Sequence, residues 1–507
     1  MKKTIIISII AFLLHSPGIS AQDDKSRQKD FTTAFNTYIN KTLEKIPGMG
    51  IAIVVIKNDQ PVFVQAYGMA NKETGTRADI NTLFYIASST KSFTALAAAL
   101  LDKEGKIKLN DPVTKYTGGI SFKNQLPERI TVRDLLTHTS GLQNDPLSFR
   151  MAYSGEVDDK DMLKVFAGAT KAVDSAYGKF DYDNLGYNIY AVLLQQTLGK
   201  KWQDLLQEKI FDPLKMKHTT AYISKAAANK WVVAQPYLFS GESGTSIRSW
   251  LDKKDNNMQS AGGLFASASD IGTWLNMNMN NGKLNGKQII PADIIQKCQA
   301  GYTITKRDNA PFTGDGEYGL GWQIGKYKNE KVIYHHGGFP GYNSHISFMP
   351  DQKIAVAVLV NDGSIGGRAG HMLATYAYEW WLQTENVEER YASQLQDLAD
   401  GYEKGKKGMV ASAADRAKRV SQLTIPADSY TGKYSNEYFG TIEISNKDNA
   451  LAVKMGNIYC IATNFKEPET VRVEMIPGSG EVIRFKKNAA GTIESLAYAG
   501  AEFVKMK

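Results

Sequence analysis

The sequence predicts an α+β chain, a large domain whose sheet is assembled from both of its ends, followed by a small all-β unit. Three observations carry this reading. Strand-like apolar runs separated by turn residues occur near residues 49–72 and return between about 318 and 361. Helical and loop patterns rich in Gly, Asn and Asp fill the interval between them. Beyond about residue 424 the chain consists of short alternating strands and turns.

In chain order, MKKTIIISIIAFLLHSPGISAQ has two lysines, a short apolar run and small residues ending near Ala21, the form of a secretory signal peptide. The expected divisions are residues 1–21 as signal, 22–383 as the large domain, 384–424 as a helical or polar linker and 425–507 as the small β-unit. The sequence DDKSRQKDFTTAFNTYINKTLEKI predicts an amphipathic helix, and GMGIAIVVIKNDQPVFVQAYGMAN two strands turning at Lys-Asn-Asp-Gln. FYIASSTKSFTALAAALL predicts a strand end followed by an apolar helix to about Leu101. The runs YGLGWQIGKY, EKVIYHHG, YNSHISFMP and KIAVAVLVND predict the returning strands, and residues 367–383 a helix closing the domain. Joining the terminal strands in one sheet would bring residues near 88 and near 335 together.

Composition narrows the function. The apolar fraction of 43% and charged fraction of 22% are those of an ordinary globular protein. The formal charge of +8 falls to +6 if Lys2 and Lys3 leave with the leader, a small surplus for 507 residues. That argues against a nucleic-acid partner, and no later segment supplies a transmembrane anchor. Cys298 and Cys460 lie far apart, and two free thiols are expected rather than a disulfide. No CxxC or HExxH spacing occurs, so neither a metal site nor a cofactor is expected.

Three stretches carry chemistry. In Ser88-Ser89-Thr90-Lys91 a serine sits at a helix N-terminus with a lysine one turn along the same face. A partly desolvated lysine there would have a depressed pKa and could accept the serine proton. The pattern also fits an N-capped core helix with one snorkelling lysine, and Ser26…Lys29 repeats it in the polar leader. Tyr182-Asp183-Asn184 lies in a loop before an apolar helix, where a phenol could move a proton and an amide could bind a substrate amide. In His335-His336-Gly337-Gly338 adjacent histidines on a strand point to opposite faces, and the glycines allow a close backbone approach.

Together these three elements resemble, in order and spacing, the active-site triplet of the class C β-lactamase-like serine hydrolases. That superfamily includes β-lactamases, D-alanyl-D-alanine carboxypeptidases, D-aminopeptidases and esterases. The stretches ITVRDLLTHTSGL, SAGGLFASASDIGTWL, YGLGWQI and PGYNSHISFMPDQKIAVAVLVN are also similar to that family, and the likeness covers about residues 31–383. It implies a penicillin-binding-protein-like antiparallel sheet flanked by helices, with a helical subdomain and an appended small β-barrel. It further implies Ser88 as acylated nucleophile, Lys91 as its activating partner and Tyr182 in proton transfer. Asn184, His335, Gly337 and Gly338 would bind substrate, with the N–H groups of Ser88 and Gly338 as oxyanion hole.

His335 occupies the place held by lysine in class C β-lactamases, which makes efficient β-lactam hydrolysis doubtful. If protonated, it would bind substrate carboxylates, and that binding would weaken as pH rises. The implied activity is that of an exported, periplasmic or secreted hydrolase. Its substrate would be an amide or ester, such as a D-amino-acid-containing peptide or a peptidoglycan-derived fragment. A slowly deacylating penicillin-binding or sensor protein, an esterase, a weak β-lactamase and a non-catalytic scaffold are the rival readings. His138, Trp322, His345, His371 and the Trp380-Trp381 pair are expected to be structural.

Overall fold

The computed structural model describes residues 21–156, 158–305 and 312–507; the expected leader lies outside them apart from Ala21. Helix α1 (Ala21–Lys45) precedes strands β1 (Ile51–Lys57) and β2 (Gln60–Tyr67). Asn58 and Asp59 join these strands with φ of 49° and 68°. Paired left-handed residues of this kind make a two-residue hairpin turn, and Asn and Asp tolerate it better than other side chains. Helices α2 (Thr90–Lys103), α3 (Leu185–Leu198) and α4 (Ala268–Met279) follow. Strands β3 (Thr303–Ile304), β4 (Thr313–Tyr318), β5 (Gln323–Tyr327), β6 (Glu330–Phe339), β7 (Tyr342–Met349) and β8 (Ile354–Val360) return the chain to the sheet. Helices α5 (Gly366–Trp381) and α6 (Val387–Ala417) lead to the C-terminal strands.

The main sheet has eight strands in the order β3-β4-β5-β6-β7-β8-β1-β2, all antiparallel. One antiparallel pair joins Ile51 of β1 to Val360 of β8, so strands from the two ends of the domain meet in one sheet as expected. Both faces are covered. Ala52, Val54 and Ile56 face a core shared with α2, α3 and α4, while Ile51, Ile53 and Val55 face a second core shared with α1 and α5. Two-sided burial explains why β1 and β8 read as continuous apolar runs rather than alternating ones. On the outer side Phe31 and Phe35 of α1 stack with one another and against Trp380, Trp381 and Tyr376.

The C-terminal unit is a nearly closed antiparallel barrel of nine strands from Gly432 to Lys505. Its first strand pairs with its last, and the aromatic side chains Tyr430, Tyr434, Phe485, Tyr498 and Phe503 fill it. Cys298 and Cys460 are both buried and free.

The barrel docks on the segment 149–156 and on the loop around Asn256. Asn457 N–H donates to the Ser154 carbonyl at 2.7 Å, and Arg150 Nη1 to the Tyr438 carbonyl at 3.1 Å. Tyr153 stacks on Phe339 with ring centroids 6.0 Å apart, which carries the contact to the end of β6. Arg150 is buried and also pairs with Asp161 at 2.8 Å. Replacing it by Ala leaves buried carbonyls unpaired and should cost about 1–3 kcal/mol. The Arg150→Ala protein is expected to show a lower Tm and faster limited proteolysis between residues 418 and 431, the stretch between α6 and the barrel. Unchanged cleavage would remove Arg150 from the docking contact.

Candidate active site

A one-turn 3-10 helix, Ala87–Ser89, runs directly into α2 and presents Ser88 at the helix N-terminus. Ala87 has φ 45°, in the left-handed region, which is strained for a residue with a Cβ. The turn is bound to β6 and β7 from below. Ser89 Oγ donates to the His335 carbonyl at 3.0 Å, and Ser344 Oγ donates to the Ile86 carbonyl at 2.8 Å. A Cβ on Gly337 would stand 2.0 Å from the Ile86 carbonyl oxygen, so only glycine fits there. At Gly338 the nearest atom to such a Cβ is Asn343 Oδ1 at 3.7 Å. The two glycines therefore differ: packing against the turn that carries Ser88 accounts for Gly337, whereas Gly338 faces open space.

Lys91 is 0% exposed, and its ammonium has three hydrogen-bonding neighbours. Nζ stands 3.3 Å from Ser88 Oγ, 2.7 Å from Asn184 Oδ1 and 2.9 Å from the Ala261 carbonyl. Burial lowers its pKa from the ordinary lysine value to about 7, and the nearby Asp183 carboxylate only partly offsets this. Nζ also lies 4.8 Å from the Tyr182 ring centroid and 5.5 Å from that of Tyr187. Asn184, expected at the substrate, thus also serves as an acceptor for Lys91.

Tyr182 is half-buried in a loop clamped by His138. The His138 carbonyl accepts from Asp181 N–H at 2.9 Å, its Nδ1 accepts from Asp183 N–H at 3.3 Å, and its ring lies 4.5 Å from the Tyr182 ring. His138 itself has φ 59°. His335 is buried on the site face of β6, with its ring 6.1 Å from that of Tyr182. Its Nδ1 donates to the His336 carbonyl at 2.8 Å, which leaves Nε2 to accept from Tyr318 Oη at 3.3 Å. Burial, then the proximity of Lys91, pushes its pKa down to about 3. A neutral imidazole near pH 7 agrees with the residue type, and the protonation that carboxylate binding would require is disfavoured by this burial.

The triplet is brought together from three parts of the chain, with Lys91 between Ser88, Asn184 and the Tyr182 ring and with His335 beside Tyr182. The Beta-lactamase family matches residues 35–379. The chain belongs to the β-lactamase family and is a serine hydrolase. Among its relatives is the unguisins hydrolase ungD of Aspergillus violaceofuscus, 24% identical over 462 residues, 84% of this chain and 78% of the relative.

Two solved structures share the fold. The octameric penicillin-binding protein homologue from Pyrococcus abyssi superposes with TM-score 0.58 at 21% identity, covering 94% of this chain and 100% of that one. The D-amino acid amidase from Ochrobactrum anthropi SV3 reaches 0.57 at 20% identity, covering 70% and 100%.

Sequence reasoning missed Tyr318 and the Ala261 carbonyl, whereas His138 has the structural role expected of it, tying a turn through hydrogen bonds. Tyr318 sits in YGLGWQI, a stretch whose Trp322 is indeed core, stacked 6.3 Å from Trp274. The serine-hydrolase site predicts a contrast between neighbouring glycines. Gly337→Ala should displace the nucleophile turn, costing about 1–3 kcal/mol by overpacking, with activity lost. Gly338→Ala should leave Tm nearly unchanged. Equal Tm values for the two variants would refute the packing assignment.

Proposed function

We propose that the protein is an exported hydrolase that acts through an acyl-enzyme on Ser88, on amide or ester substrates such as D-amino-acid-containing peptides or cell-wall fragments. The observation that carries this is the fully buried Lys91 amine 3.3 Å from Ser88 Oγ, with a pKa near 7 that leaves it able to accept a proton. The amidase and hydrolase names among the similar proteins support an amide substrate. Among the described residues no helix is long and apolar enough to cross a membrane.

In the proposed reaction Lys91 takes the Ser88 proton as Oγ forms a bond to the substrate carbonyl carbon. The resulting oxyanion accepts from the N–H groups of Ser88 and Gly338. The proton passes through Tyr182 to the leaving group as the scissile bond breaks, giving the Ser88 ester. Water then attacks that ester, losing its proton to the Tyr182–Lys91 pair, and Ser88 Oγ recovers a proton as the acid leaves. Asn184 orients Lys91 and lies beside the substrate amide, while neutral His335, fixed by Tyr318, offers no cation to an anionic substrate.

That neutrality favours a second reading for one substrate class. With no fixed ammonium at His335, a penicillin would acylate Ser88 and deacylate slowly, so the chain would behave towards β-lactams as a penicillin-binding protein.

Intact-mass measurement after treatment with a fluorophosphonate, and separately with a penicillin, tests both readings. One fluorophosphonate adduct on the wild type and none on Ser88→Ala is expected, with ester turnover in the variant down by at least about 10³-fold. A stable penicillin adduct would support the second reading. An active Ser88→Ala protein would sink the mechanism.

The pH dependence follows from Lys91. Its neutral form is the base, so kcat/KM for a neutral ester should rise about tenfold per pH unit below about 7 and level off above it. Anionic and neutral esters should share this profile, because His335 does not change charge there. A loss of activity confined to anionic substrates as pH rises would contradict the neutral assignment.

A further inference from the structure

We propose that His336, His345 and His371 form a binding site for a first-row transition-metal ion of zinc type, on the face of the sheet opposite the catalytic cleft. His336 follows His335 on β6 and so points away from Ser88. His345 is its direct cross-strand partner on β7, and His371 comes from α5, which packs over that face. One nitrogen from each imidazole lies within 4.8 Å of the other two.

Two features point to a ligand rather than to a satisfied histidine core. Both ring nitrogens of His336 are buried and have no hydrogen-bond partner among the described residues. Its ring centroid is nevertheless 4.7 Å from His345 and 4.2 Å from His371. Such a ring is costly to bury without a partner, and a cation at the centre of the cluster would engage it. Secondly, the surroundings orient the set. His345 Nε2 contacts Ser347 Oγ at 2.7 Å, which in turn contacts Tyr378 Oη at 2.7 Å. That chain leaves His345 Nδ1 facing His371 Nδ1 at 2.7 Å, the arrangement in which an outer hydrogen bond fixes a ligating tautomer.

The geometry is within reach of a metal. Tetrahedral bonds of 2.0–2.1 Å place nitrogen ligands about 3.3 Å apart, so the widest pair would close by about 1.5 Å and the hydrogen-bonded pair would open slightly. Bringing an ion in displaces the proton between His345 and His371, which moves to the outer nitrogen of His371. Three neutral imidazoles suit zinc, cobalt or copper and not magnesium or calcium, and they leave a fourth position for water. The partial exposure of His371 provides a route in from solvent. The sequence excluded a metal because it lacks clustered spacing; these ligands stand at 336, 345 and 371 and meet only through strand pairing and helix packing.

The full chain, stripped with chelator, would be incubated with zinc, desalted and assayed by elemental analysis beside His371→Ala and His345→Gln. About one zinc per chain in the wild type and a loss of that zinc in both variants is expected, with a Tm rise of a few degrees on zinc addition in the wild type alone. Cobalt loading should give the intense visible bands of a tetrahedral nitrogen site, which reports on the wild type even if a variant fails to fold. Wild type retaining no more zinc than the variants, or cobalt spectra of free aqueous ion, would overturn the site and leave a hydrogen-bonded histidine cluster only. Ser88 labelling is measured in parallel, so failure here is distinguishable from failure of the hydrolase mechanism.

Discussion

Strand β6 meets the turn that carries Ser88 at a separation that only a glycine permits, and the rest of the site is built outward from that contact. Because Gly337 has no Cβ, the Ile86 carbonyl can lie against it, and the hydroxyls of Ser89 and Ser344 then lock turn to strand. Ser88 thereby gains a fixed position relative to the sheet. Tyr318 and His335 reach the same cleft because β4 and β6 belong to that sheet. The strain at Ala87 is sustained by these bonds, since a left-handed alanine would otherwise relax.

The second constraint is electrostatic. An amine sealed from water tends to lose its proton, and Lys91 is sealed by Tyr182, Tyr187 and the carbonyl of Ala261. Asp183 pulls in the opposite direction but contributes less than burial. The same dryness, with Lys91 adjacent, keeps His335 uncharged. One physical cause thus lowers the pKa of both groups, and in the proposed reaction it leaves Lys91 able to act as base and His335 without a charge.

Local signals in the sequence were sufficient wherever the relevant contacts are local. The Ser88–Lys91 spacing is one helical turn, and Asn58-Asp59 makes its own hairpin, so both could be read from residue type alone. The strands β1 and β8 are recognisable from apolar content, and their membership of one sheet is expected, while their direct pairing is seen only in the structure. What could not be read depends on distant packing. Tyr318 looks like any core tyrosine until β4 pairs with β5 and brings it to His335. The charge of His335 depends on burial by residues from four segments. The docking of the barrel through Arg150 and Asn457 joins stretches about 300 residues apart, with no periodicity to announce it.

Strand alternation explains how so short a stretch as His335–Gly338 can serve two sides of the molecule. A period of two sends His335 into the cleft and His336 into the layer beneath α5, where His345 and His371 converge on it. Anything that fixes His336 also fixes the backbone register of β6, because a one-residue slip would exchange the two faces. The histidine layer and the glycine contact at Ile86 therefore constrain the same strand from opposite sides. Gly338 and Phe339 follow directly, and Phe339 meets Tyr153 beside the barrel. The end of β6 is thus held by the sheet, the histidine layer and the docked barrel together, which fixes the strand that carries the open edge at Gly338.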